Sequence, residues 1–462
     1  MSDLDGCRDC NRTEFLRKAI AEAGRGLPGI EPGMPLPAGT GMSRRSFVSR
    51  AAGFALAVYG GSKLSSYAFD DGIAQAAADA ASSQRVLVSV FLSGGIDSLN
   101  VLFPAGEPAY YSLRPTIALS QSSGKPYTED SRLRWHPAAS GIATLHDEGK
   151  VSVMPAIGYA NSDKSHFTSR HYWEVGATDA TLRTGWLGRY VDAVGKPDNP
   201  LQGLTLDVAL QPAIATAKMP VATLEAADQY GFAPPGIAPH PLEASIIEEA
   251  ANIGALHAKS PDAGLQTAGS IAFESNQLYQ QLASFRWGFS SPVAYPSSTD
   301  PFPHRLAGLA AMIAAGLPLG VVAITSPGRF DTHATEAGTL QNGLQLTSDS
   351  LLAFQRDLEA RGIADRVLIH VWSEFGRRAA ENASAGTDHG SAGIGFLIGT
   401  KVKGQQIGEF PGVTSGLDGQ GNLTPTTDFR AVYGAMLSQW LNTDPTQIIP
   451  GIAAYQLPSL LK

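Results

Sequence analysis

The sequence has almost no cysteine. Its two cysteines, Cys7 and Cys10, lie within the first ten residues of a 462-residue chain. No disulfide can therefore hold the main domain together, and no thiolate can serve there as a nucleophile or a metal ligand. The Cys-x-x-Cys spacing occurs in metal-binding and redox pairs, but one pair supplies at most two ligands. An incidental or local structural role for this pair therefore stays open beside a functional one.

Charge is also scarce, and positive charge most of all. Charged residues make up 16% of the chain, and the net charge is −8. A nucleic-acid partner needs a basic face that neutralises phosphates, and the body of the chain has no long basic run, so we expect no nucleic-acid binding. Hydrophobic residues, at 43%, are ample for a large core, and 50 Gly with 30 Pro predict many loops, where functional sites usually lie.

The apolar stretch at residues 51–59 is too short to span a bilayer, which takes roughly 20 residues. It follows Ser43-Arg44-Arg45-Ser46-Phe47 and precedes Ala74-Gln75-Ala76. A basic segment, a short apolar segment and an A-x-A-like cleavage site are typical of a signal peptide, and the paired arginines resemble a twin-arginine signal. We expect recognition by the twin-arginine translocation machinery, an extracytoplasmic location and no transmembrane span in the mature form. Cleavage of the signal and its retention as an anchor both stay open.

The composition divides the chain into three parts. Residues 1–42 form an N-terminal leader with a flexible Pro/Gly-rich linker, and residues 43–84 hold the signal and a linker of small residues. Residues 85–462 are predicted to form one α/β domain with a mostly parallel central sheet and helices on both faces, because apolar runs alternate with helical patterns. Within it, residues 199–300 are rich in Pro, Ala and Ser with weak periodicity, which predicts an insertion or a cap.

Short apolar runs mark the predicted strands of this sheet. They are residues 86–92, 151–157, 321–324, 367–372 and 396–398. Near-continuous apolar runs of this length are typical of strands buried on both faces. Sites in such sheets lie beyond the carboxyl ends of the strands, so the residues that follow each run are the candidates for function.

Glu, Asp and His recur just beyond these strand ends. The segments are SGGIDSLN at 93–100, NSDKSHF at 161–167, SPGRFDTH at 326–333, SEFGRR at 373–378 and GTDHG at 386–390. Each segment alone is a weak signal, but the sheet brings successive strand ends together. Mixed histidine and carboxylate ligands suit divalent ions such as zinc, manganese or iron, whereas calcium and magnesium prefer oxygen alone.

At these motifs the chain resembles the family of bacterial secreted proteins called domain of unknown function 1501. The resemblance covers residues 85–460, and twin-arginine signals are common in that family. The family is grouped with the alkaline phosphatase and sulfatase superfamily, whose members hydrolyse phosphate or sulfate esters with one or two metals. The resemblance implies an alkaline phosphatase-like three-layer sandwich and a divalent metal, with zinc, manganese, calcium or magnesium as candidates. The matching stretches are VFLSGGIDSLNVL, PAYYSLRPTIAL, SHFTSRHYWEVG, GWLGRY, FDTHATEAG, VWSEFGRR, GTDHGSAG and TTDFRAVY.

The superfamily pattern implies roles for the first two strand ends. A metal-binding Asp normally ends the first strand, where this chain has Ser93, and Asp97 four residues later is the candidate ligand. The nucleophile of the superfamily follows the second strand at the start of a helix. Ser165 occupies about that place, with Ser162 as the reserve candidate.

The later strand ends supply the other implied ligands. Asp331 and His333 resemble the superfamily's Asp and His ahead of a long helix. For its Asp-His-Gly there are two alignments, of which the first places Asp388-His389-Gly390 by its letters. The second places Glu374-Phe375-Gly376 by its position after a strand, with His389 as the separate late histidine. We prefer the second, because strand context is better evidence than three letters. The predicted metal ligands are Asp97, Asp331, His333, Glu374, Asp388 and His389.

These residues together imply an exported metal-dependent hydrolase of small phosphate or sulfate esters. Its predicted catalytic residues are Ser165, His166 and Arg170, with Ser165 as the nucleophile. Arg170, or Arg377 beside Arg378, would bind the anionic group, because guanidinium matches such oxygens. An α/β-hydrolase is excluded because no Gly-x-Ser-x-Gly follows a strand. The altered first ligand keeps open a different class, a non-catalytic secreted binding or assembly protein with the same fold.

Overall fold

The computed structural model describes residues 58–59, 84–229 and 243–462. The predicted domain at 85–462 falls almost entirely within these ranges. The predicted twin-arginine signal at 43–49 and the pair Cys7 and Cys10 lie outside the described residues.

The fold is organised around a mostly parallel β-sheet of nine described strands in the order β1-β8-β7-β9-β2-β10-β13-β6-β14. Strands β13 and β1 run antiparallel to their neighbours, and the other neighbouring pairs are parallel. Separately, β11 pairs with β12, and β5 lies between β3 and β4. The strands are β1 Val58–Tyr59, β2 Val86–Phe91, β3 Leu102–Phe103, β4 Lys125–Pro126, β5 Arg134–Trp135, β6 Val151–Gly158, β7 Gly203–Leu206, β8 Val221–Leu224, β9 Val321–Thr325, β10 Val367–Trp372, β11 Arg377–Glu381, β12 Thr387–His389, β13 Gly393–Ile398 and β14 Thr427–Asp428.

Helices connect these strands. None of the described helices combines the length and the apolar content that crossing a bilayer requires. The α-helices are α1 Ser98–Val101, α2 Pro108–Leu113, α3 Ser140–Asp147, α4 Thr168–Val175, α5 Trp186–Val194, α6 Glu243–His257, α7 Ala263–Gln281, α8 Phe302–Ala314, α9 Glu336–Ala360 and α10 Phe429–Ala435, which continues as a π-helix at Met436–Trp440.

The sheet carries an apolar core on each face. Along β2, Val86, Val88 and Val90 lie in one core, and Leu87 and Phe91 lie in the other. Helices α3, α8 and α9 supply side chains to the first core, and α4, α5 and α10 supply side chains to the second. Each fully buried Val, Leu or Phe contributes roughly 1.5–3 kcal/mol, so burial on both faces explains the continuous apolar runs. The predicted fold class, a mostly parallel sheet with helices on both faces, is confirmed.

The predicted insertion at 199–300 needs a correction. Strands β7 and β8 come from this range and pair within the central sheet. Four residues are too few for a clear periodicity, which is why these strands went unrecognised in the sequence. The later part of the range holds the helices α6 and α7, which pack closely against each other at Gly254 and Gly269. A Cβ atom added to Gly254 would lie only 2.7 Å from the carbonyl oxygen of Gly269. A cap role for this helix pair stays a prediction.

Candidate metal centre

Three histidines and one aspartate meet beyond the carboxyl ends of β6, β9 and β10. His166 lies between β6 and α4, Asp331 and His333 lie between β9 and α9, and His389 ends β12. We call these four residues the His/Asp cluster. They come from segments far apart in sequence, and the parallel arrangement of the strands brings those segments to one edge of the sheet.

His389 is the central member of the cluster. Its Nε2 atom lies 3.0 Å from Nε2 of His166, 3.0 Å from Nε2 of His333 and 3.1 Å from Oδ1 of Asp331. The same Asp331 oxygen lies 3.1 Å from Nε2 of His333 and 3.5 Å from Nε2 of His166. Potential ligand atoms of His166, Asp331 and His389 all lie within 4.8 Å of one another. Three potential ligand atoms, from His166, Asp331 and His389, therefore face a common point, and Nε2 of His333 lies beside them.

The opposite ring nitrogens are held by acceptors. Nδ1 of His389 lies 2.8 Å from the backbone carbonyl oxygen of Lys164, and Nδ1 of His166 lies 2.8 Å from Oε1 of Glu374. A carbonyl oxygen can only accept, so Nδ1 of His389 carries a proton and the Nε2 of its neutral ring keeps a lone pair. Such an acceptor behind each imidazole is the usual arrangement around metal-binding histidines.

This tautomer assignment makes the centre of the cluster fit a cation. When both rings are neutral with the proton on Nδ1, the Nε2 lone pairs of His166 and His389 face each other at 3.0 Å beside an oxygen of Asp331, and a cation between them would satisfy all three atoms. Ligand atoms about 2.0–2.1 Å from a zinc ion stand roughly 3.3 Å apart in a tetrahedron, close to the spacings among His166, Asp331 and His389. Imidazole nitrogens with one carboxylate suit zinc, manganese or iron rather than calcium or magnesium.

The cluster is open on one side. The side chain of His166 is 3% exposed, whereas that of His333 is 33% exposed. Asp388, half exposed, lies behind His333 with its Oδ1 atom 3.6 Å from Nδ1. Asp388 and Glu374, both predicted as ligands, therefore lie behind imidazole rings, where they orient His333 and His166.

A glycine turn at the end of β2 fixes Glu374. The backbone N–H groups of Gly94 and Gly95 donate to the carboxylate at 3.0 Å each, and both glycines have positive φ, of 112° and 70°. A Cβ on Gly94 would lie 2.4 Å from the backbone nitrogen of Asp331, so only glycine fits there. Burial raises the pKa of Glu374, but the hydrogen bond and charge of His166 outweigh it and lower the pKa to about 2.

Asp97 does not join the cluster, which corrects its prediction as a ligand. Its carboxylate forms a salt bridge with Arg114, with Nη2 lying 2.9 Å from Oδ1, and both side chains are fully buried. It also caps α1 through the N–H of Leu99. A buried guanidinium needs a counter-charge, and Arg114, 17 residues away, is the partner that the local motif did not reveal.

Asp97→Asn should therefore destabilise the fold without removing the metal. The substitution leaves Arg114 buried without its counter-charge, and breaking such a pair costs roughly 3–5 kcal/mol. Urea unfolding would measure the loss, and elemental analysis of the folded protein should give the same metal content as the unmodified chain. Loss of the metal to the extent seen in a cluster variant would return Asp97 to the ligand set.

Two of the predicted anion-binding arginines are already engaged. Nε of Arg170 donates to Glu174 at 2.8 Å, and Nη2 of the fully buried Arg377 donates to Asp331 at 2.6 Å. These ion pairs occupy donors of both arginines, and the binding of a substrate's anionic group by Arg170 or Arg377 stays a prediction. Arg378 is half-buried and stays a predicted anion-binding residue.

Ser165 precedes the cluster histidine in sequence and is half-buried. Its Oγ atom accepts a hydrogen bond from the N–H of Phe167 at 3.2 Å, and its own N–H donates to Asp163 at 3.0 Å. The hydroxyl thus caps the turn that leads into α4. The nucleophile roles of Ser165 and of its reserve, Ser162, stay predictions.

A cleft begins beside the cluster at Lys164. Its cavity volume is about 800 Å³, within the usual range for small-molecule sites. Lys164 orients His389 through its carbonyl oxygen, and its Nζ atom donates to Gln420 at 2.9 Å. The lining of the cleft is mixed, with polar residues such as Asn161, Lys164 and Asp418 beside apolar ones such as Tyr159 and Leu423.

His166 is predicted from the sequence as a catalytic residue and not as a metal ligand. It follows β6 just as His333 follows β9, so the strand-end rule applied equally to both. The superfamily pattern, which expects a nucleophile at this point, drew attention to Ser165 instead.

The fold and the cluster together define an α/β protein with a candidate mononuclear metal centre. A family model described as "Protein of unknown function (DUF1501)" matches residues 297–440 of this chain. The matched part holds Asp331, His333 and His389, whereas His166 lies before it. No curated protein matches the chain.

Solved structures similar to this chain share little sequence with it. The lipoteichoic acid synthase LtaP from Listeria monocytogenes is 9% identical with a TM-score of 0.30, and the match covers 69% of this chain and 66% of that one. This chain thus matches slightly less than two thirds of the synthase. A protein in the alkaline phosphatase superfamily from Vibrio parahaemolyticus is 8% identical with a TM-score of 0.34, covering 98% and 80%. The C-terminal periplasmic domain of EcEptC from Escherichia coli, in complex with Zn, is 10% identical with a TM-score of 0.34, covering 80% and 87%.

Proposed function

We propose that this chain is a metal-dependent hydrolase of small phosphate or sulfate esters. One divalent ion would be held by His166, Asp331 and His389, with His333 beside them. The observation that carries the proposal is the convergence of the Nε2 atoms of His166 and His389 and Oδ1 of Asp331 on one point, with acceptors behind both rings. A cation at that point would satisfy the lone pairs of neutral imidazoles and the carboxylate together.

The ion and the residues around it would have different roles in hydrolysis. A bound divalent ion polarises an ester oxygen and lowers the pKa of water towards neutrality. Glu374 and the carbonyl oxygen of Lys164 hold two of the rings with Nε2 directed at the centre of the cluster. The partly exposed side at His333 leaves access for the ester, and the cleft beside Lys164 offers room for the rest of the substrate.

The proposal includes action outside the cytoplasm. Its support is the twin-arginine motif at Arg44 and Arg45, which would bring the chain to the translocation machinery already folded. A centre assembled from residues as far apart as His166 and His389 exists only in the folded chain. Folding before export would therefore allow the ion to be loaded inside the cell.

A second candidate function is a secreted metal-binding protein without turnover. The engagement of Arg170 by Glu174 and of Arg377 by Asp331 favours it, because two groups predicted to receive an anionic ester already have carboxylate partners. The two functions share the metal centre and differ in whether an ester is hydrolysed there.

Metal analysis followed by assays with aryl phosphates and aryl sulfates tests the proposal. We expect one divalent ion per chain, loss of hydrolysis after chelation, and its return when the ion is added back. Ser165→Ala is the matched variant, because it alters the neighbour of His166 and should keep the ion. Hydrolysis that survives this substitution would remove Ser165 as nucleophile.

The outcomes separate the two functions. A chain that binds no ion contradicts both. An ion bound without hydrolysis of any tested ester would contradict the hydrolase and support the binding protein.

A further inference from the structure

Arg377 is a fully buried guanidinium in direct contact with the His/Asp cluster. It begins β11, three residues after Glu374, and belongs to the segment that follows β10. Burying an unpaired guanidinium is costly, so its partners show what the position requires.

Its donors reach three different segments. Nε donates to the carbonyl oxygen of Gly95 at 2.7 Å, in the turn after β2, and Nη2 also contacts the carbonyl oxygen of Gly94. Nη1 donates to the carbonyl oxygen of Thr387 at 2.9 Å, at the start of the strand that ends in His389, and also lies 3.5 Å from Nε2 of His333. Nη2 further donates to Oδ1 of Asp331 at 2.6 Å and to the carbonyl oxygen of Phe330 at 3.1 Å. One rigid group thus joins the glycine turn, the Asp331 loop and the His389 strand.

The Asp331 oxygen bound by Arg377 is the one that faces the histidines. Oδ1 lies 2.6 Å from Nη2 of Arg377 and 3.1 Å from Nε2 of His389. The guanidinium therefore fixes the position of the carboxylate of Asp331, the only carboxylate in the cluster. Its positive charge also partly neutralises the negative charge of that carboxylate. We propose that Arg377 is a positioning residue for the metal centre, acting on the ion through Asp331, and that it does not bind substrate. This inference depends on the proposed metal centre.

A lysine cannot replace this arginine. The planar fork of guanidinium presents five donors in fixed directions, whereas an ammonium group has three donors at one point. With Arg377→Lys, the charge stays near Asp331 but the contacts to Gly95 and Thr387 cannot all be kept. Asp331 would then lose its fixed position relative to His389.

Arg114, which directly follows α2, offers a matched control that contacts the same strand, β11. It too is fully buried, pairs with a carboxylate, Asp97, and donates to the carbonyl oxygens of Arg378 at 3.0 Å and Ala379 at 2.8 Å. It contacts β11 as Arg377 does, but its carboxylate partner is not a member of the cluster. Arg114→Lys therefore reproduces the structural damage without altering a contact to the His/Asp cluster.

The test is metal affinity, with the visible spectrum of the cobalt-loaded protein as a second readout. Arg377→Lys should weaken the affinity for zinc by roughly 10–100-fold, as is typical for a residue that supports a ligand, and should change the cobalt spectrum. Arg114→Lys should lower thermal stability while keeping the affinity within about twofold of the unmodified chain and the same spectrum. The inference is wrong if Arg377→Lys leaves both the zinc affinity and the cobalt spectrum unchanged. It is also wrong if Arg114→Lys weakens zinc binding as much as Arg377→Lys does. An unmodified chain that binds no metal would instead contradict the proposed function.

A double-mutant cycle covers the case in which Arg377→Lys does not fold. In Asp331→Asn, the partner of Arg377 is already uncharged, so adding Arg377→Met leaves no unpaired buried charge at this position. Because the main contact from Arg377 to the ion is through Asp331, Arg377→Met should cost less than tenfold in zinc affinity in the Asp331→Asn background, a loss that covers its contacts to Thr387 and His333. A further tenfold loss there would overturn the inference.

Discussion

His389→Ala should abolish stoichiometric metal binding and ester hydrolysis together while the chain stays folded. His389 is the residue whose Nε2 atom lies about 3 Å from each of the other three cluster residues, His166, Asp331 and His333. Removing a ligand should cost more affinity than the roughly 10–100-fold typical of residues that only support ligands. Equilibrium dialysis against zinc measures the affinity, and circular dichroism verifies the fold.

His304→Ala is the matched control for this variant. His304 lies on α8, its side chain is 46% exposed, and its Nε2 atom pairs with Asp228 at 2.8 Å. Its removal should leave zinc binding and hydrolysis unchanged. Unaltered zinc affinity in His389→Ala would show that the convergence of imidazole nitrogens does not form a metal site.

Much of the fold could be predicted because buried parallel strands leave a direct signal in sequence. The runs that include Val86, Val151, Val321 and Val367 are all strands, since both faces of the sheet are covered and nearly every position must be apolar. The same rule failed for β7 and β8, which are only four residues long. A strand this short, preceded by a turn rich in proline, has too few residues to show a period.

Part of the site could be predicted from the sequence for the same reason. Asp331, His333 and His389 lie beyond strand ends, and the topology alone requires such ends to meet. The sequence does not reveal which members of each segment turn inward. The backbone N–H groups of Gly94 and Gly95, 280 and 279 residues away, bind the carboxylate of Glu374 and keep it behind His166. These contacts exist only once the sheet has formed.

Electrostatic partners were the least predictable part. Asp97 follows a glycine turn in the manner of a ligand, yet Arg114 neutralises it, and nothing in either local sequence shows the pairing. Arg377 presented the same difficulty, because an arginine near a predicted site has the sequence appearance of an anion-binding group whether its donors are free or engaged. Burial decides between the two, and burial is a property of the whole fold.

Glu374→Gln should weaken both the fold and the metal site. The two carboxylate oxygens of Glu374 accept hydrogen bonds from the backbone N–H groups of Gly94 and Gly95 and from Nδ1 of His166, at 2.8–3.0 Å. All three of these groups are donors. The amide nitrogen of glutamine is itself a donor, so in either orientation it faces at least one of these groups without an acceptor. We expect the free energy of unfolding to fall by roughly 3–5 kcal/mol, as for a broken buried ion pair, and zinc affinity to fall by roughly 10–100-fold because His166 loses its orienting acceptor.

The pH dependence of this loss distinguishes an ionised Glu374 from a neutral one. Its pKa in the folded chain is lowered from the ordinary 4.5 to about 2, so its ionised form stabilises the fold fully above about pH 4.5. That contribution disappears as the pH falls towards 2, and the gap in unfolding free energy between the unmodified chain and Glu374→Gln should shrink over this interval. Glu381→Gln is the control, since Glu381 also accepts backbone N–H groups, from Thr116 and Ile117, but at the surface. A gap that stays constant down to pH 2, or an equal loss of zinc affinity in Glu381→Gln, would contradict the role of Glu374 as the ionised acceptor behind His166.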